Sequence, residues 1–179
     1  NPLLKSVNKA AYSGGLDFIQ YFYNRNYYIN LVSIFSRVEG DKKALLKIQE
    51  SSVHYFQRSD AKYLGIDSSR TTLEGSGGNI SFGKAGSGKW RFEEKVSWRS
   101  PGLDLNDIGY LQVADFISQK ASISYKETKP GNFYREYSLY YENFQQWNFG
   151  NQHEMNYNLV NGYINFTNKW GMSAWIYHQ

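Results

Sequence analysis

The residues best suited to chemistry crowd two stretches of the chain. Asp104, Asn106, Asp107 and Asp115 lie in RSPGLDLNDIGYLQVADF, residues 99–116, around a Pro-Gly step. Upstream, SSVHYFQRSDAKYLGIDSSRT, residues 51–71, carries His54, Tyr55, Gln57, Arg58, Asp60 and Asp67. Three readings follow from these types. Two carboxyl groups about 5 to 9.5 Å apart across a sugar would act as the acid and base of a glycoside hydrolase, and Asp60, Asp104 and Asp107 are the candidates for that role. Aromatic rings beside Asp, Asn, Gln and Arg also suit carbohydrate binding, with a ring on the sugar face and planar polar groups on its hydroxyls. The third reading is a brace. Arg58 and Arg99 are the nearest charge partners for Asp60, Asp104, Asp107 and Asp115, and Arg–carboxylate pairs with Asx turns would hold both loops over the fold. The brace is expected first and a ligand site second.

Other motifs fall short. GKAGSGKW, residues 83–90, follows the phosphate-loop spacing but puts Trp90 where the magnesium-binding hydroxyl belongs. An alternating segment follows it instead of a helix, so no helix terminus is available for phosphate. It is expected to be a hairpin turn. HEMNY, residues 153–157, has Tyr157 in place of the second His of a zinc motif. The Asp104–Asp115 segment resembles a calcium loop, yet Ile108 occupies a ligand position and Asp replaces the terminal bidentate Glu. With three scattered His and no Cys, neither a metal nor a cofactor is expected.

The elements that carry these loops alternate with a period of two. In WRFEEKVSW, Trp90, Phe92, Val96 and Trp98 share one face, interrupted only by Glu94, while Arg91, Glu93, Lys95 and Ser97 share the other. Ile117, Ala121 and Ile123 continue the apolar phase, as do Leu139 and Tyr141. These nine apolar residues are expected to face lipid. Strands are predicted at 14–23, 27–38, 72–84, 90–98, 117–126, 133–142, 154–167 and 170–179, with one helix at 41–52. Connections alternate between short turns and long loops at 39–71, 100–113 and 146–153. Aromatic residues flank both ends of the strands. Short turns at one end, long loops at the other and two aromatic girdles describe a transmembrane barrel. A soluble barrel shares the alternation and is the competing reading.

Composition agrees. Aromatics make up 18% of the 179 residues, yet mean hydropathy is −0.63, as short alternating strands would average out. The net charge is +4, but acidic and basic residues alternate, so no stripe for nucleic acid is present. No run approaches the roughly 18 apolar residues of a spanning helix. NPLLKSVNKA has no apolar signal core, so an exported chain would be a mature or trimmed fragment.

HYFQRSDAKYLGIDSSRTTLEGSG followed by SPGLDLNDIGYLQVADFISQ resembles the C-terminal barrel domain of the domain of unknown function 5916 family. There the first loop commonly reads YFQRPDA, with Pro where this chain has Ser59. The second commonly reads SPGFEVNDLGF: Asn106, Asp107 and Gly109 match, while Leu103, Asp104, Leu105, Ile108 and Tyr110 depart conservatively. WNFG, residues 147–150, is a third, weaker match. The resemblance implies a bacterial outer-membrane protein, often preceded in that family by a family-9-like carbohydrate-binding module.

The expectation is therefore an all-β fold: an antiparallel transmembrane β-barrel of outer-membrane type, with about eight strands present, part of a larger barrel, and one short helix in a long loop. Residues 1–179 form one domain. It is expected in the outer membrane of a Gram-negative-type bacterium, with the lipid bilayer as partner and no nucleic acid. Its surface loops are expected to bind glycan or another outer-membrane protein, in carbohydrate uptake or processing. A glycoside hydrolase and a structural subunit of an outer-membrane complex are the alternatives.

Overall fold

A computed structural model describes residues 7–179. Eight strands, β1 (Asn8–Phe22), β2 (Tyr27–Gly40), β3 (Thr72–Lys84), β4 (Trp90–Arg99), β5 (Phe116–Glu127), β6 (Tyr134–Trp147), β7 (His153–Phe166) and β8 (Gly171–His178), form one sheet in sequence order. Every neighbouring pair is antiparallel. One helix, α1 (Lys42–Glu50), lies in the β2–β3 connection. The sheet is all-β and open: β1 and β8 are its edges, unpaired with each other among the described residues.

Directly paired residues share a face, so the registers fix the two surfaces. Phe92 pairs with Ile123, which pairs with Tyr141 and then Val160. Val96 continues through Ile80 and Leu31 to Phe18. All nine residues expected to face lipid fall on this one apolar face. It remains open to the surroundings: Ile80, Trp90 and Leu139 are 42%, 53% and 57% exposed. Toward the long-loop ends of β5 to β7 the same face turns polar, with Gln119, Asn143, Gln145, Asn156 and Asn158. Glu94, the one charge interrupting it on β4, accepts a hydrogen bond from Gln119 Nε2 at 2.7 Å.

Most element boundaries shift from the sequence reading, and three of the shifts bear on the loops. β1 starts at Asn8, because pairing with β2, irregular only at Lys9, carries the strand through residues of weak intrinsic preference. The 100–113 loop runs on to Asp115, where β5 takes over. The 146–153 loop shrinks to 148–152 because β6 runs on to Trp147, a one-residue irregularity absorbing the mismatch with β7.

The buried hydrophobic side chains sit where the long loops meet the sheet. Ala44 and Leu45 of α1 pack with Phe56 and Leu73. Leu103, Leu111 and Ala114 pack with Ile34, Val53 and Leu105. The helix starts at Asp41, whose carbonyl accepts from the Ala44 and Leu45 amides at 2.9 and 3.1 Å, and ends where Ser51 N closes on Ile48 O.

Candidate functional site

The 100–115 loop folds inward onto the polar face of the sheet. Contact there is backbone on backbone: a Cβ at Gly75 would sit 2.0 Å from Leu103 N, and one at Gly102 would sit 2.1 Å from Glu74 O. Glycine at both positions is what allows the approach. Pro101 disfavours helix at Ser100, so β4 ends there, and Ser100 Oγ accepts from Ser76 N at 2.8 Å. Asp104 N then donates to Ser36 Oγ at 2.9 Å. Asp104 Oδ1 accepts from Asn106 N, and Asn106 Oδ1 from Leu111 N, at 2.9 and 3.0 Å. These Asx contacts turn the segment back toward β5.

All three long connections meet at Asp115. Its side chain is 1% exposed and ion-paired with Arg58 Nη2 of the 51–71 loop. Tyr63 donates its hydroxyl to Asp115 Oδ2 at 2.5 Å, and Phe149 donates its backbone N–H to Oδ1 at 3.1 Å. Burial, then the hydrogen bond and charge of Asp115, push the Tyr63 phenol up to about 12, so it stays a donor. Asp115 has φ of 61°, a left-handed conformation that Asp tolerates better than most residues. The three stretches that carry the sequence resemblance thus converge: Arg58 from the first, Asp115 from the second, and Phe149 and Gly150 from the third, the last against the Tyr63 ring.

The remaining candidates are distributed around this node. His54 is buried, with Nε2 3.1 Å from Leu103 O and Nδ1 3.2 Å from Ser51 Oγ. Those partners assign the neutral tautomer with the proton on Nε2. Burial lowers the His54 pKa, partly offset by the nearby Asp104 charge and the Leu103 carbonyl. Gln57 Nε2 donates to Glu50 O at 3.1 Å, and Tyr55 is exposed at a φ of 46°. The Ser69 hydroxyl and amide hold the Asp67 carboxyl below its usual range.

The Arg–Asp expectation is met at Asp115 and Asp60, both paired with Arg58, and corrected at Asp104 and Asp107. Asp60 is 3.8 Å from Arg58 Nε. Asp107 instead accepts from Asn8 Nδ2 at 3.2 Å, and Asp104 is spent on its own loop. Arg99 donates to Val113 O at 3.2 Å and lies 5.1 Å over the Phe116 ring. Asp104 and Asp107 line one hollow of about 330 Å³ against α1, which Asp60 does not reach. Among the described residues no three His, Asp or Glu side chains gather as a metal site. The 83–90 motif is a turn between β3 and β4, with Ser87 N bonded to Asn26 Oδ1 at 2.7 Å.

Two groups were missed in the sequence. Gln49 is buried on α1 and brackets the Asp67 backbone: Oε1 accepts from Asp67 N at 2.8 Å and Nε2 donates to Asp67 O at 3.0 Å. On the polar face, Lys120 lies 3.8 Å from Glu93 and 3.7 Å from Glu142. Tyr28 donates to Glu93, and Tyr140 and Tyr157 donate to Glu142. Alternation placed Glu93, Lys120 and Glu142 on one wet face; only the register brings them side by side.

Between the folded-in loop and this polar face lies a hollow of about 550 Å³. Tyr110, Phe116 and Phe144 bring rings to it, and Asn79, Gln146 and Lys95 bring polar groups. An aromatic and amide lining of this size suits a small polar ligand with flat apolar faces.

An open antiparallel sheet with one apolar face, whose other face is capped by its own long loops, defines the class. The family model of the domain of unknown function 5916 matches residues 39–178, and the chain belongs to that family. Comparison with curated proteins and with solved structures returns no match.

Proposed function

We propose that the chain forms part of the wall of an outer-membrane β-barrel and binds glycan beneath its long loops. The observation that carries the reading is the division of the sheet. One face presents exposed aliphatic and aromatic side chains to the surroundings, a surface too apolar for water but suited to hydrocarbon. The other face holds Glu93, Lys95, Lys120 and Glu142 and receives the loops. On this reading the polar face is the lumen, the long loops are on the cell-surface side and the 85–89 turn is periplasmic. The 550 Å³ hollow then opens to the lumen, where Tyr110 and Phe144 stack on sugar rings and Asn79 and Gln146 meet hydroxyls.

Nitroxide labels at positions 92 and 93 of the membrane-reconstituted protein test the wall. Lipid contact at 92 with water at 93 is expected; the reverse, or water at both, means a soluble barrel or a slipped register. Tyr110→Ala and Phe144→Ala should weaken glycan binding on an array while leaving the loops resistant to protease. Binding that ignores both variants moves the site elsewhere. Asp104 and Asp107 on one hollow support a second reading, hydrolysis, and release of reducing sugar abolished by Asp107→Asn is its test.

A further inference from the structure

Resting on the glycan reading of the 550 Å³ hollow, we infer that its ligand is an acidic glycan, a saccharide bearing carboxylate, and that Lys95 reads its charge. Ion pairing on the polar face leaves Lys95 without a carboxylate, because Lys120 lies beside both Glu93 and Glu142. Lys95 on β4 pairs directly with Lys120 on β5, so two lysine side chains leave the same face from directly opposite positions, an arrangement that is unfavourable unless each is balanced. Lys120 is balanced, lying between Glu93 and Glu142 at 3.8 and 3.7 Å. No carboxylate lies within ion-pairing distance of Lys95 among the described residues. It faces the hollow, as does Arg99.

The rest of the lining strengthens the point. No Asp or Glu contributes to it. The Arg99 guanidinium is held over Phe116 and donates from Nη1 to Val113 O, which keeps a second positive charge at the rim. A hollow with two cations, no anion, aromatic rings and amides is matched by a sugar ring carrying a carboxylate: rings take its apolar face, Asn79 and Gln146 its hydroxyls, and Lys95 its charge. A neutral sugar would leave Lys95 unpaired beside Lys120.

The test uses the full-length protein in detergent, titrated calorimetrically with uronate-bearing oligosaccharides and with the methyl ester of each, which keeps shape and removes charge. At least one uronate should bind, its ester about tenfold or more weaker, since a hydrogen bond to a charged group is worth roughly 1.5 kcal/mol or more. Raised salt should weaken the uronate only. Lys95→Gln should bring uronate down to the level of ester, and Lys95→Arg should retain the difference. Equal binding of uronate and ester, unchanged by Lys95→Gln, overturns the acidic ligand and leaves the glycan reading standing. Absence of binding by either set, and by neutral glycans, overturns the glycan reading itself.

Discussion

Asp115 gathers charge and hydrogen bonds from two other loops, and removing a partner leaves a buried group incompletely served. Breaking a buried ion pair from one side costs about 3 to 5 kcal/mol. Arg58→Ala belongs at the low end, because Tyr63 and the Phe149 amide still serve the carboxylate. Hydrogen exchange should show loss of protection in 51–71, 100–115 and 148–152 together, with the strands unaffected; loss confined to 51–71 would mean that the loops do not share a node. His54 adds a pH dependence of defined sign. Its folded pKa is lowered, so the unfolded loop takes up a proton first as pH falls below about 6.5. Stability is therefore full above that value and declines as pH drops toward the folded pKa. Protease resistance of the 51–71 loop should weaken on acidification through this window, and His54→Gln should flatten the profile. An unchanged profile in the variant would show that His54 does not carry the pH effect.

β3 is the element that lets the loop in. Its sequence TLEGSGGNISFGK has glycine at positions 75 and 77 on the polar face, and Leu103 lies over both. Gly75→Val would drive a side chain into the Leu103 backbone, and relief requires the 100–115 loop to lift off. The strand itself would gain a good β residue. Strand circular dichroism should persist while the loop becomes a fast proteolytic site. Gly14→Val on β1, whose added Cβ meets nothing within 4 Å, is the control. Equal resistance of both variants would mean that the loop is not seated on β3.

At the scale of the molecule, the sheet leaves two long edges and one apolar face open. Unpaired strand edges cannot lie in hydrocarbon, so the proposed membrane wall requires further strands to pair β1 and β8. The apolar face sets the depth at which hydrocarbon can lie, since its amides cluster toward the long-loop ends of β5 to β7. Ile80→Arg, on the apolar face between Phe82 and Gly78, should cost about 2 to 4 kcal/mol in a bilayer, and Asn79→Arg on the polar face far less. Urea titration of the reconstituted protein reads the difference. Similar costs would show that the two faces meet the same medium.

Alternation by itself located the strands, the order of short and long connections and, in 90–98, 117–126 and 133–142, which side chains share a face, because a period of two is local; the ends of β1 and β6 needed their partners. It placed Glu93, Lys95 and Lys120 on one wet face, and turn chemistry marked Pro101, Asp104 and Asn106 as a compact bend. The partners were decided only by tertiary structure. Arg58 had four carboxylates in reach by sequence and took Asp115 as its closest partner, since only the folded-in loop brings that group beside Tyr63 and the Phe149 amide. Asp107 went to Asn8 at the start of β1. Register, which no local pattern encodes, gave Lys120 two carboxylates and left Lys95, its direct neighbour, facing a hollow with none.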